Sequence, residues 1–136
     1  MSDIKEIVRP FYTQCLTVNA ETNLAEKMGQ LLADNFQSKG SVEVKGKEQL
    51  IGQIGYFWKL VPDLKWEIQE MIAEGNQVVV RSLASGTPKG NFMGVEVDGT
   101  KSFKTMTIEI HTVENGQVVA VHHLEDWATA MKQLQG

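Results

Sequence analysis

The spacing of apolar residues changes once along this chain, at Pro62, and that change limits the fold more than any other feature. Before it, apolar side chains recur at steps of three and four, the period of one helical face; after it they alternate, the period of a strand. Helices first and strands afterwards is the pattern of an α+β domain in which helices cover one sheet.

Ser2 or Asp3 can cap a first helix that carries Ile4, Val8, Phe11 and Cys15 on one face. On that stripe Cys15 reads as core, because no neighbouring cation is visible to make it a reactive thiol. A second helix begins near Thr22 with Leu24, Met28, Leu31 and Leu32, and a short alternating stretch spans Val42 to Lys45. A third helix runs from about Lys47 to Val61, where Pro62 stops it. Gly52 and Gly55 inside it each cost about 1 kcal/mol against Ala, which marks either close backbone packing or a tolerated weak point. Beyond Pro62, turn signals at Gly75-Asn76, Asp98-Gly99 and Asn115-Gly116 separate strands near 64–74, 77–86, 89–97, 100–114 and 117–126 into an antiparallel meander. A short helix, Trp127 to Leu134, follows.

The 136 residues suit one domain, 1–136, and 42% hydrophobic with 22% charged residues is ordinary for a chain that buries a core. The net charge of -4 comes from 13 basic and 17 acidic residues, with no basic run interleaved by aromatics, so nucleic acid is not an expected partner. Met1 to Pro10 lacks the apolar core of a signal peptide, and no stretch approaches the roughly 20 apolar residues of a membrane span. A single cysteine suits a reducing compartment. The expectation is a cytoplasmic protein without a membrane partner.

Pro62-Asp63-Leu64, Val80-Arg81, Ser85-Gly86-Thr87 and Gly90-Asn91-Phe92-Met93-Gly94-Val95 follow one another in a recognisable order, continued by Glu114-Asn115-Gly116-Gln117-Val118-Val119 and Asp126. In this order they resemble the SnoaL-like polyketide cyclases. The resemblance implies the nuclear-transport-factor-2-like fold: a cone-shaped, curved antiparallel sheet wrapped around about three N-terminal helices, with a deep pocket and a short C-terminal helix. It also implies a homodimer, and an acid/base role for Asp126. Lys39, Pro88 and the run Ala120-Val121-His122 stand where the family often carries other pocket residues, so the pocket chemistry differs from the common pattern.

The last hairpin carries the candidate site. An Asn115-Gly116 turn pairs Glu114 with Gln117, and a regular ladder beyond it sets Glu109 opposite His122, His111 opposite Ala120 and Thr105 opposite Asp126. One face then gathers Glu109, His111, His122 and Asp126; the other carries Met106, Ile108 and Ile110 with Val119 and Val121. Periodicity leaves two readings open, with the polar face either lining a pocket or meeting solvent. The resemblance favours the pocket, and the apolar face would then lie against a second subunit. A His beside a carboxylate in an enclosed site has the makings of proton transfer; a structural cross-strand ion pair is the competing reading.

Trp58, Phe57, Phe92, Met93 and Leu124 are the expected apolar wall of the site, although aromatics at such spacing also serve as plain core. Glu70 and Arg81, paired across the Gly75-Asn76 turn, read as a structural ion pair. No phosphate loop, dinucleotide fingerprint or nucleophile elbow occurs, and His122 and His123 point to opposite faces, so no cofactor and no metal site are expected. Two functions fit: a cofactor-free acid/base enzyme of cyclase or isomerase type acting on a small apolar carbonyl compound, or a ligand-binding module with the same pocket and no turnover.

Overall fold

The structure, a computed structural model, describes residues 3–136; the Ser2 cap lies outside the described residues, and Asp3 caps the first helix by accepting the Lys5 amide at 3.0 Å. This helix, α1 (Ile4–Pro10), ends where Pro10 supplies no amide hydrogen for a further turn. The chain continues as one π turn, Phe11–Cys15, closed by the Leu16 amide on the Phe11 carbonyl at 2.8 Å. The expected single helix is thus two pieces, and Phe11, Tyr12 and Cys15 of the π turn are all buried. Burial pushes the Cys15 thiol up to about 12, consistent with a core residue.

Helix α2 (Leu24–Leu31) is capped by Asn23, and α3 (Lys47–Leu60) begins as Gln49 accepts the Gly46 amide at 2.9 Å. Between them lie two strands, β1 (Leu32–Lys39) and β2 (Val44–Gly46). The first was not expected: Leu32, read as helix, begins it. The remaining elements are β3 (Lys65–Glu74), β4 (Gln77–Gly86), β5 (Lys89–Phe92), β6 (Val95–Asp98), β7 (Phe103–Glu114), β8 (Gln117–Glu125) and α4 (Trp127–Gln135). Six strands form one curled sheet in the order β2-β1-β8-β7-β4-β3. Its pairs are antiparallel except β1 with β8, which run parallel, so the sheet is mixed.

The strand expected over 89–97 is instead a separate hairpin, β5 with β6, turning at Met93-Gly94 where both φ values are positive, 52° and 87°. A two-residue turn of this hand favours Asn or Gly at its first position, and Met93 conceals it in the sequence.

Two apolar clusters lie between helices and sheet. The larger joins Val8, Phe11, Tyr12, Met28, Leu32, Phe36 and Ile54 to Val78, Val80, Val113 and Val118; the smaller joins Val61, Leu64, Phe92 and Phe103 to Ala130 and Leu134 of α4. A Cβ on Gly55 would come only within 3.9 Å of the Leu24 side chain, an ordinary contact, and one on Gly52 would meet nothing within 4 Å. Gly52 is therefore a weak point and not a packing device. We expect Gly52→Ala to stabilise the domain by about 1 kcal/mol, a rise of a few degrees in a thermal melt. An unchanged or lower melting temperature would contradict this.

Candidate active site

The Asn115-Gly116 turn has both φ values positive, 53° and 77°, and sets Glu114 opposite Gln117 and Val113 opposite Val118 as expected. One residue later the ladder departs from a regular hairpin. Thr112 pairs with Ala120, so Val119 is an extra residue on β8, a β-bulge. Every pair beyond it moves by one: His111 lies opposite Val121, Glu109 opposite His123 and Thr107 opposite Glu125. A slip of one position exchanges the faces of a strand. His123 and Glu125 consequently share the inner side with Glu109 and His111, while His122, Leu124 and Asp126 are exposed.

This corrects four placements. His122 does not meet Glu109. Asp126, expected inside, caps α4: its carboxylate accepts the Thr129 amide at 3.1 Å and the Thr129 hydroxyl at 2.6 Å, and these bonds hold it below the usual carboxylate range. Leu124 stands 67% exposed on the outer face, and Val121, expected on that outer face, is buried inside. Trp58 also leaves the expected wall, because its indole Nε1 donates to the Cys15 carbonyl at 2.8 Å and the ring packs in the larger cluster.

The inner face opens on a cavity of about 220 Å³. Phe57, Phe92 and Met93 line it as expected. Phe103 and Trp127, neither of them expected in the pocket wall, complete the aromatic surface: Phe92 stacks on Phe103 with centroids 5.5 Å apart, and Trp127 meets Phe103 edge-on at 5.8 Å. Phe103 stands at one end of the inner row of β7 and Glu109 lies toward the other, so the cavity runs from an aromatic wall to a polar group. That group is Glu109, His123 and Glu125, with Ser38, Gln53 and Glu43 also lining the space. Among the described residues the lining contains no Lys or Arg.

Glu109 is 3% exposed, and burial pushes its carboxyl up to about 7, against the pull of a hydrogen bond from Tyr12 and with the Glu125 charge adding to the rise. The Tyr12 hydroxyl donates to Glu109 Oε1 at 2.6 Å and also lies 2.7 Å from His111 Nε2. The other oxygen, Oε2, lies outside that bond and makes no hydrogen bond of good geometry, with the Thr107 hydroxyl of the same strand near enough to favour the charged form. Burial lowers His111 to about 3, so the imidazole is neutral. His123 Nδ1 lies 2.7 Å from Glu125 Oε2, and this bond raises the imidazole above its ordinary value. Its Nε2 is left for other partners. Glu109 and His123, opposite one another on adjacent strands, place a near-neutral carboxyl and a carboxylate-backed imidazole on one wall, roughly 5 Å apart at Cβ. Among the described residues no three His, Cys, Asp or Glu side chains are grouped to hold a metal ion.

Solved structures of several bacterial proteins share this architecture. IdmH of Streptomyces antibioticus matches with a TM-score of 0.85 at 20% identity, over 99% of this chain and 100% of that one. A SnoaL-like polyketide cyclase of Agrobacterium tumefaciens matches with 0.80 at 17% identity, over 98% and 99%. A protein of ketosteroid isomerase-like fold from Catenulispora acidiphila, in complex with trimethylamine, matches with 0.76 at 14% identity, over 96% and 92%. At such identities the likeness establishes the fold. No curated protein sequence matches significantly. The profile of the SnoaL-like polyketide cyclases, however, matches residues 6–134, from the first helix through the last, and to that family the chain belongs.

Proposed function

We propose that the protein is a cofactor-free acid/base enzyme that moves a proton next to the carbonyl of a small, largely apolar compound, with Glu109 as general base and His123 as proton donor to the carbonyl oxygen. The observation that carries this reading is a buried carboxyl displaced to about 7, with one free oxygen, on the wall of an apolar cavity. At neutral pH both its protonation states are populated, as a group that takes and returns a proton needs. As the α-proton leaves for Glu109, charge grows on the carbonyl oxygen, and an Nε2 proton of His123 can stabilise it while Glu125 holds the imidazole by Nδ1. Return of the proton to another carbon gives isomerisation; attack of the enolate on a second carbonyl of the same molecule gives aldol cyclisation.

The cavity favours one or two rings, since a cavity of about 150 Å³ already takes benzene. Three carboxyl groups and no Lys or Arg in its lining, with the His123 imidazole already paired to Glu125, disfavour an anionic substrate. The test is deuterium exchange at the α-carbon of β-tetralone, followed by proton NMR. Exchange should exceed the buffer rate and rise through pH 7 as Glu109 ionises. Binding of such ketones without any accelerated exchange would favour the second reading, a ligand-binding module, which the departures at Lys39, Pro88 and Ala120 from the common family pattern support.

We further propose that the protein is a cytoplasmic homodimer. Among the described residues no helix is long and apolar enough to cross a membrane. The outer sheet face exposes Met106, Ile108 and Ile110 of β7 beside Leu124 of β8 and Ile72 of β3. Contiguous apolar surface of this kind is the usual ground for a subunit contact.

A further inference from the structure

The acid/base reading leaves Tyr12 and His111 without a task, although both are fully buried behind Glu109. Tyr12 Oη lies within hydrogen-bond distance of Glu109 Oε1 and of His111 Nε2, and a hydroxyl has one proton to give. If that proton went to His111, the neutral imidazole would carry its own proton on Nδ1, which has no acceptor, and the Glu109 carboxylate would lose its donor. A buried N–H without an acceptor and a buried carboxylate without a donor are both costly. With the imidazole proton on Nε2, both penalties vanish and only a bare ring nitrogen is left unpaired.

We infer that His111 and Tyr12 are positioning residues forming a one-way hydrogen-bond chain, His111 Nε2–H to Tyr12 Oη–H to Glu109 Oε1, which occupies Oε1 and leaves Oε2 as the oxygen that exchanges protons with a substrate. The chain rests on the acid/base reading for its purpose and not for its geometry. The π turn supplies Tyr12, and β7 presents His111 and Glu109 two residues apart on one face. The other groups acting on Glu109 are the Thr107 hydroxyl of its own strand and His123 and Glu125 of β8, with Lys45 beyond His123; its register partner on β4 is the apolar Val80.

Two measurements test the chain without any substrate. Nitrogen-15 NMR of the wild-type protein should show His111 as the neutral Nε2–H tautomer at pH 8 to 9, where Glu109 is the carboxylate that needs the Tyr12 proton, and the Nδ1–H tautomer in that range would overturn the proposal. Carbon-13 NMR of the Glu109 carboxyl should show its midpoint moving up by roughly one pH unit or more in Tyr12→Phe, and by less in the same direction in His111→Leu, as the donor to the carboxylate is lost or weakened. His111→Gln, which can still donate to Tyr12, should restore most of the difference. A merely structural role would change the melting temperature and leave the midpoint where it was, and that result also overturns the chain. Should Tyr12→Phe fail to fold, the wild-type tautomer decides alone. If the midpoint moves as expected while Glu109→Gln exchanges β-tetralone at the wild-type rate, the chain stands and the catalytic reading falls.

Discussion

Glu109→Gln should lower exchange or turnover of an accepted ketone by about 10² to 10⁴-fold, the usual worth of a positioned acid/base group, while ligand binding survives. The same substitution should make the protein more stable, and only at high pH. The Glu109 carboxyl is raised from an ordinary 4.5 to about 7, so the folded state favours its protonated form. The stability that goes with that proton is fully present below about 4.5 and is lost as pH rises through 7. At about 1.36 kcal/mol per pH unit, the displacement corresponds to about 3 kcal/mol. The amide of the variant keeps an oxygen for Tyr12 and has no charge to desolvate. The variant should therefore gain about 2 to 3 kcal/mol at pH 8 and nothing at pH 4, read by chemical denaturation at the two values. An equal gain at both would refute the displaced carboxyl. A carboxylate kept where it weakens the fold is a common trait of functional sites.

Ile108→Lys should convert a homodimer into monomers. Ile108 is 42% exposed at the middle of the outer face, paired with Arg81 on one side and Leu124 on the other. Arg81 holds Glu70 at 2.6 Å on the partly exposed outer surface, as the reading of a structural ion pair expects. A lysine at this position would set a second cation beside Arg81, and a two-fold axis would repeat it on the partner. Burying an unpaired charge costs several kcal/mol, so the dissociation constant should rise at least a hundredfold, by about two powers of ten or more. Sedimentation at tens of micromolar should find wild-type dimer and variant monomer. A wild-type monomer at that concentration would dispose of the assembly proposed above.

Two of the three expected turns and the strands that they join were legible because their signals are local, whereas the strands on either side of Asp98-Gly99 do not pair: β5 and β6 stand apart and β4 pairs with β7. Gly75-Asn76 correctly predicts Glu70 opposite Arg81, and Asn115-Gly116 predicts the first two pairs of the last hairpin. The bulge was not legible. Nothing in Val118-Val119-Ala120-Val121 distinguishes an extra apolar residue from a regular one, yet it decides that His123 and Glu125 face the cavity and that Asp126 caps a helix. Strand β1 escaped for another reason: Asp34 and Asn35 interrupt its alternation, and its burial comes from α3 and from β8, far along the chain. Tyr12 went unmarked beside the helical stripe of Ile4, Val8, Phe11 and Cys15, its polar partners nearly a hundred positions away.

The parallel seam between β1 and β8 also governs when this chain can fold. Leu32 meets Val118 and Lys39 meets His122, so the sheet closes only after nearly the whole sequence is available. Contacts so distant in sequence must overcome the entropy of a long loop before they contribute anything, which slows folding. During synthesis α1, α2 and β1 leave the ribosome long before their partner strand, with Leu32 and Phe36 still uncovered. A chain stopped anywhere before residue 118 lacks the strand that Leu32 pairs with and the second wall of the cavity. The native sheet therefore waits on the last strand, and the first thirty-odd residues take their final environment from the last twenty.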